Sequence, residues 1–433
     1  MQSKNKPFAG LHTFLILWST QSFSELGSAM TTFALIVWSY QQHGSALVTA
    51  LLSVCTYAPY VLLSIFAGAL SDRWDKQRTM LVCDTLAALG TLATFALLHA
   101  GMLEIWHLYV LNALNGLMNT FQQPASDVAV SLLAPKAQYQ RVGGLRSLSS
   151  SLITILSPAL ASALLGLFGI EAVFLFDLLT FAAAFLTLAL RIRIPRPPVR
   201  EDGQERLLAA VRSGLRFLRQ HRGVLDLILF LAAINLTASV YNAALPAMLL
   251  SRPGGGETVF GLVNMCTGVA NVVGSVLVSL APAPKSRVRV ICNSLLFAMS
   301  TENLLLALGR GAPVWCLGAV LGWLCIPLMN ANMDVLLRSH IPVEMQGRVY
   351  AARNALQFFT IPVGYLLGGF LVDRVFEPFM SAQGLNSFFV SLLGSGKGTG
   401  AALLFLALSV EGVLTCLLFR KDPHLWALEN RKS

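Results

Sequence analysis

The sequence predicts an all-α membrane protein with twelve transmembrane helices arranged as two parallel six-helix repeats. Three observations carry that expectation: the composition, the placement of the basic residues and an internal repeat. Of 433 residues, 55% are hydrophobic and only 12% are charged, and mean hydropathy is +0.66. A soluble domain carries roughly 25% charged residues. So few charges cannot cover a water-facing surface, which excludes a soluble enzyme, and the apolar content excludes a disordered chain.

A bilayer crossing needs about 20 apolar residues. Apolar runs occupy 11–40, 47–70, 79–99, 105–133, 143–168 and 171–190, then 224–250, 257–281, 288–308, 312–335, 354–373 and 400–419. The first run is too long for a cleavable leader and lacks a small-residue cleavage site after it. Six runs on each side of a polar stretch divide the chain into an N-terminal bundle (1–190), a linker (191–222) and a C-terminal bundle (223–433).

Orientation follows from the basic residues. With the N-terminus in the cytoplasm and alternation thereafter, 27 of the 31 Lys and Arg fall in inner segments. Nine of these are the Arg residues between 191 and 222. Outer segments hold four: Arg252, Arg310, Arg374 and Lys397. That bias places both termini inside and requires an even number of crossings. It also explains the net charge of +10 without a nucleic-acid partner. The expected location is a bacterial cytoplasmic membrane, crossed many times, with the bilayer itself as partner and a monomer as the unit.

The repeat lies at the inner ends of runs four and ten. Asp127-Val-Ala-Val-Ser-Leu-Leu-Ala-Pro135, with Arg141, Val142 and Arg146 after it, matches Asp334-Val-Leu-Leu-Arg-Ser-His-Ile-Pro342, with Arg348, Val349 and Arg353. The offset is constant, 127 to 334 and 146 to 353 alike. Six crossings per half give both copies the same orientation, the two-halves arrangement of secondary transporters with a site near midplane. The linker, with Leu207, Leu208, Val211, Leu215 and Leu218, reads as an amphipathic helix on the anionic inner leaflet.

Between runs two and three stands Gly68-Ala-Leu-Ser-Asp72-Arg73-Trp-Asp-Lys76-Gln-Arg78. This resembles the G-x-L-a-D-R-x-G-R-[KR] loop of the major facilitator superfamily, with Asp75 where the family has Gly. The resemblance extends over the whole chain and is strongest toward the bacterial macrolide-efflux and enterobactin-exporter branch. It implies alternating access between two bundles, with runs one, four, seven and ten lining the cavity. It also implies that Gly68, Asp72, Arg73, Lys76, Arg78 and Asp127 form a latch of the outward-open state. A solvated loop obeying the positive-inside bias is the plainer alternative. In run five, Ser157-Pro158-Ala-Leu-Ala161-Ser162 is similar to a degraded antiporter motif, in which small residues allow tight packing and proline kinks.

Ionisable groups in hydrocarbon cost about 2.5–3.5 kcal/mol each and are functional candidates by default. Glu25 lies near the middle of run one, while Asp177, Glu302 and Glu411 fall in runs six, nine and twelve, which the resemblance places outside the cavity, so a structural acid is the favoured reading for those three. Asp84, Asp226 and Asp373 lie nearer run ends, within reach of water or loop arginines. No Lys or Arg lies mid-run to neutralise the acids, so an acid facing a cavity can trade a proton for a cation. Glu25 is the expected proton-coupling or substrate-contacting acid; a structural acid bonded to a hydroxyl is the alternative. Asn112, Asn115, Asn119 and Gln122 share one helical face, and Asn264, Thr267, Asn271 and Ser275 form a second stripe. Tyr241, Asn242, Phe121 and Trp323 could add contacts to an amphipathic substrate.

The seven cysteines are scattered in apolar runs, the histidines have no metal-ligand spacing, and Gly394-Ser-Gly-Lys397 lacks the other residues of a phosphate loop. No metal and no cofactor are expected. The sequence therefore points to export of an amphipathic small molecule against protons. Metabolite uptake, facilitated diffusion or a non-transporting membrane protein stand as alternatives.

Overall fold

The structure, a computed structural model, describes residues 11–71, 74–135, 138–195, 207–282, 284–384 and 386–430. Among them every regular element is helical. The helices are α1 (His12–His43), α2 (Ala46–Ser71), α3 (Lys76–His99), α4 (Ile105–Leu133), α5 (Tyr139–Phe168), α6 (Ile170–Leu190), the linker helix α7 (Leu207–Gln220), α8 (Arg222–Ser251), α9 (Glu257–Leu280) and α10 (Arg287–Leu308). After them come α11 (Ala312–Leu324), α12 (Ile326–His340), α13 (Val343–Phe370), a π-helical turn (Leu371–Phe376), α14 (Glu377–Ser381), α15 (Phe388–Leu393), α16 (Thr399–Arg420) and α17 (Pro423–Asn430).

Among the described residues, ten segments are long and apolar enough to cross a membrane. α1 and α4 are as long, at 32 and 29 residues, but polar side chains interrupt them. A count of twelve crossings requires these two, and they carry most of the candidate site. Prolines 59, 124, 158, 246 and 362 sit inside long helices, which neighbouring helices tolerate at membrane depth.

Where boundaries differ from the apolar runs, the cause is local chemistry. α5 and α13 begin before runs five and eleven, at residues 139 and 343, because polar turns extend each helix beyond its apolar stretch. Run ten is broken at Cys325 into α11 and α12, with a proline near the start of the second. Gly169 alone separates α5 from α6, and its φ of 79° is a left-handed conformation that glycine reaches at no steric cost. Asp75, the departure from the family loop, caps α3: its Oδ1 accepts from the Arg78 backbone N–H at 3.0 Å.

The chain forms two compact units. One comprises residues 1–35 and 55–202, the other 36–54 and 203–433. The second therefore includes the end of α1 and the start of α2 as well as the whole C-terminal half. In the first unit Leu17, Met80, Ala125, Ala129 and Leu188 form a core cluster. Gly116 of α4 lies so close to the Thr56 carbonyl of α2 that a Cβ would collide with it. In the second unit Gly274 of α9 meets the Leu324 carbonyl of α11 in the same way. Runs two and four, and runs eight and ten, are thus each in close contact, through glycines on different helices of the two pairs.

The linker helix differs from a purely lipid-facing one. Leu215 is exposed, but Phe217 and Leu218 are buried in a core with Val224, Leu227 and Ile228. Part of its apolar face is spent on protein.

The segment after α13 is held in place by cations. Arg252, buried, donates to the carbonyls of Ala307 at 3.1 Å and Leu393 at 2.8 Å. Arg310 donates to Ser391 O at 3.1 Å, and Lys397 sits 5.7 Å from the Tyr40 ring centroid. Three of the four cations expected on the outer side therefore have structural roles that sequence reading did not assign. In the same unit Asp373, in the π-helical turn, accepts from the Ala46 and Leu47 backbone N–H groups at 3.0 and 2.9 Å and from Ser45 Oγ at 2.5 Å. Its carboxylate caps the N-terminus of α2.

Candidate functional site

In the first unit, one face of α1 is polar through its middle. Gln21, Glu25, Ser28 and Thr32 are spaced 4, 3 and 4, which places them on one side of a helix. Their neighbours use some of them. Gln21 Nε2 donates to Asp84 Oδ2 at 3.4 Å, and Ser28 Oγ donates to Asp177 Oδ1 at 3.0 Å. Glu25 is exposed and makes no hydrogen bond among the described residues.

The other acids of this unit are of another kind. Asp177 is buried on α6 and accepts from three hydroxyls: Ser28, Thr31 at 3.0 Å and Thr91 at 3.2 Å. Both its oxygens are satisfied from α1 and α3. Asp84, expected within reach of water or a loop arginine, is instead buried and bonded to Gln21 and Gln122. Sequence reading missed this junction of runs one, three and four. Each of the three could be seen as a polar residue in an apolar run, but the glutamines lie 63 and 38 residues from Asp84 and their meeting requires the tertiary fold.

The α4 stripe divides. Asn112 accepts from Thr56 Oγ1 at 3.1 Å, and Gln122 is committed to Asp84. Asn119 is exposed. Asn115 lies beside Gly90 of α3, and its Oδ1 is buried without a partner. The stripe therefore bonds neighbouring helices at its ends and leaves its centre unfilled. In the motif of run five, Ser157, Ala161 and Ser162 are all buried, as small packing residues should be.

Of the latch residues, Asp72 and Arg73 lie outside the described residues, and Gly68 is within α2. Lys76 is buried at the start of α3 and Arg78 is exposed. Asp127 meets Arg146 at 2.6 Å, and its repeat counterpart Asp334 lies 3.9 Å from Arg353.

The second unit centres on Glu302. It is 7% exposed, and its Oε1 accepts from Tyr241 Oη of α8 at 2.7 Å and from Trp323 Nε1 of α11 at 3.0 Å. Two side chains read as substrate contacts thus converge on one acid. Tyr241's neighbour Asn242 lines a cavity of about 90 Å³ with Thr49, Ser53, Asn264 and Tyr365. Glu411 bonds Thr237 at 2.8 Å and Thr415 at 2.9 Å. In the α9 stripe, Asn264, Thr267 and Ser275 bond carbonyls one turn back on their own helix.

At the start of α8, Asp226, Asp422 and His424 bring ligand-type atoms within 4.8 Å of one another. His424 Nδ1 lies 3.2 Å from Asp226 and 3.4 Å from Asp422. The histidine spacing gave no hint of this cluster. His424 is more than half exposed, so it is an ion-pairing corner at the protein surface.

A helical protein whose two halves repeat one packing scheme, with polar faces inside long apolar helices, belongs to the class of secondary transporters. The Major Facilitator Superfamily model matches residues 17–365, and the chain belongs to that superfamily. It is 24% identical to macrolide efflux protein A of Streptococcus pyogenes over 367 residues, 84% of this chain and 90% of that one. It is 24% identical to the enterobactin exporter EntS of Salmonella typhimurium, covering 76% of this chain and 77% of the relative. Among solved structures, a mutant of the nucleoside transporter NupG superposes with a TM-score of 0.71 at 13% identity, over 94% of this chain and 99% of that one. The chain is a multi-pass membrane transporter with efflux pumps among its relatives.

Proposed function

We propose that this transporter exports an amphipathic small molecule, of the macrolide, drug or siderophore-like class, in exchange for protons. It does so by alternating access between bundles 1–190 and 223–433, with both termini in the cytoplasm of a bacterial cell. Exposed Glu25, on the polar face of α1 and without a hydrogen bond among the described residues, is the observation that carries this reading. Asp177 is saturated by hydroxyls, whereas Glu25 feels the charge of Arg146 but has no hydrogen bond among the described residues to hold it. A carboxylate so placed binds a cationic or polar substrate group in one state and a proton in the other, and never both. Asn115 and Asn119 offer amide contacts on α4, and Asn242 on α8. The relatives named for macrolide and enterobactin export support the direction of transport and the size class of substrate.

By the same reading Asp72, Arg73, Lys76, Arg78, Gly68 and Asp127 form the inner latch. Everted vesicles test the proposal. A macrolide or lipophilic drug should collapse an imposed proton gradient only when this protein is present, and Glu25→Gln should abolish that response. Gradient-independent accumulation by the wild type would overturn it.

A further inference from the structure

The exchange chemistry need not reside in one bundle. Glu302 stands apart from Asp84, Asp177 and Glu411 in how its two oxygens are used. Both of its hydrogen bonds fall on Oε1, from Tyr241 of α8 and Trp323 of α11. Oε2 lies against Gly322, where a Cβ would collide with it. Gly318, one turn earlier on α11, packs against the backbone of the Glu302 turn. Two glycines four residues apart thus open the slot that seats the carboxyl, and two donors orient it.

The charged groups on the surrounding elements are spoken for or distant. On α8, Tyr241 faces Glu302, while Asp226 lies about four turns away beside His424. On α16, Glu411 is bonded to Thr237 and Thr415. On α11 the titratable side chain is Cys316. Arg252 reaches α10 only at the Leu306 and Ala307 carbonyls, beyond the next turn. On α10 itself, Arg287 and Arg289 stand at the opposite end, as do Asp334, Arg338 and His340 on α12, Arg420 on α16 and Glu429 on α17. No Lys or Arg forms an ion pair with Glu302 among the described residues.

We propose that Glu302 is a second proton-binding site, in the C-terminal bundle, with Tyr241 as the positioning residue that joins it to the Asn242 cavity. The ligand is a proton because Oε2 accepts no hydrogen bond among the described residues and no cationic side chain reaches it. The step is a simple transfer. Hydronium gives its proton to Oε2, the new O–H bond forms as the old one breaks, water leaves, and the carboxyl goes from −1 to neutral. Oε1 remains an acceptor in both states, so the Tyr241 and Trp323 bonds survive and the site cycles without repacking. What changes is the charge on the carboxyl that Tyr241 donates to, and Tyr241's chain neighbour Asn242 lines the cavity. This inference rests on the proton-exchange reading above but places an acid where that reading has none.

Infrared difference spectroscopy on the full-length transporter, stepped between about pH 4 and about pH 10, reads the carboxylic-acid carbonyl directly. In the wild type, protonated-carboxyl components should appear and vanish with pH, and Glu302→Gln should remove one of them while leaving the rest. Tyr241→Phe should keep that component but move it to higher wavenumber, since its carbonyl loses a donor. That second variant retains the ring and guards against a Glu302 variant that fails to fold. An unchanged spectrum in Glu302→Gln, or a Glu302 component that stays constant across the range, overturns the proposal. The measurement needs no substrate, so it stands apart from vesicle transport. A protein that titrates at Glu302 but shows no proton-driven efflux would retain this site and lose the function proposed above.

Discussion

Arg353 lies 3.9 Å from Asp334, and the corresponding residues of the first half, Arg146 and Asp127, lie 2.6 Å apart. Each pair joins one helix, α4 or α12, to the beginning of the next, α5 or α13, within its own unit. The duplication visible as a constant offset in sequence is thus also a duplicated contact. The family resemblance groups Asp127 with Lys76 and Arg78 in a latch; the ion pair that Asp127 makes among the described residues is with Arg146. Three of the four side chains are well exposed, so water screens them. Arg146→Ala and Arg353→Ala should therefore each cost no more than about 1 kcal/mol of stability. Thermal unfolding in detergent checks this, and a loss of several kcal/mol in either would mean that the pair is buried in the assembled protein.

Asp177 and Glu25 should separate folding from coupling. Asp177→Ala strands three hydroxyls that now donate to a carboxylate. Hydrogen bonds to charged groups contribute roughly 1.5–3 kcal/mol each, so the variant should unfold at markedly lower temperature and accumulate poorly. Glu25→Gln removes no hydrogen bond seen among the described residues and should leave the melting temperature within error while eliminating proton-driven efflux. Equal stability losses in the two variants would contradict the distinction.

Asp373 offers a third test. Its carboxylate takes two backbone N–H groups at the start of α2 and the Ser45 hydroxyl. Losing an N-cap costs about 0.5–2 kcal/mol. Asp373→Ala should fall in that range, and Asp373→Asn, which keeps an acceptor oxygen, should recover part of it. Hydrogen exchange localised to residues 45–48 is the direct readout, and protection there unchanged by Asp373→Ala would remove the cap from the account.

Much of the fold was legible because its causes are one-dimensional. Run length, charge bias and a repeated Asp…Pro…Arg-Val…Arg pattern are properties of sequence order, and the helices and superfamily follow from them. The site was legible only as an inventory. Glu302, Tyr241 and Trp323 could each be singled out as polar groups in apolar runs, but 61 residues separate the first two. Their convergence depends on how α8, α10 and α11 pack. Asp84 was misjudged for the same reason, since position along a helix says little about what a neighbouring helix presents. Asp75 shows the opposite case: it broke the family pattern, yet its role as a cap is purely local and could have been read from its place before α3.

Glycines at helix contacts provide the last prediction. A Cβ at Gly116 would run into the Thr56 carbonyl, and one at Gly274 into the Leu324 carbonyl. Backbone cannot step aside as a flexible side chain can, so the helix pairs must separate. Overpacking of this kind typically costs about 1–3 kcal/mol, and Gly116→Ala and Gly274→Ala should each do so despite alanine's better helix propensity. Gly143 lies in the first turns of α5, and a methyl group at its Cα would meet nothing within 4 Å. There Gly143→Ala should be neutral or stabilising by up to about 1 kcal/mol. Melting temperatures of the three variants decide the matter. If Gly116→Ala and Gly143→Ala behave alike, close approach between α2 and α4 does not organise the first unit. Opposite signs would show that the same substitution is governed by the neighbouring helix rather than by its own.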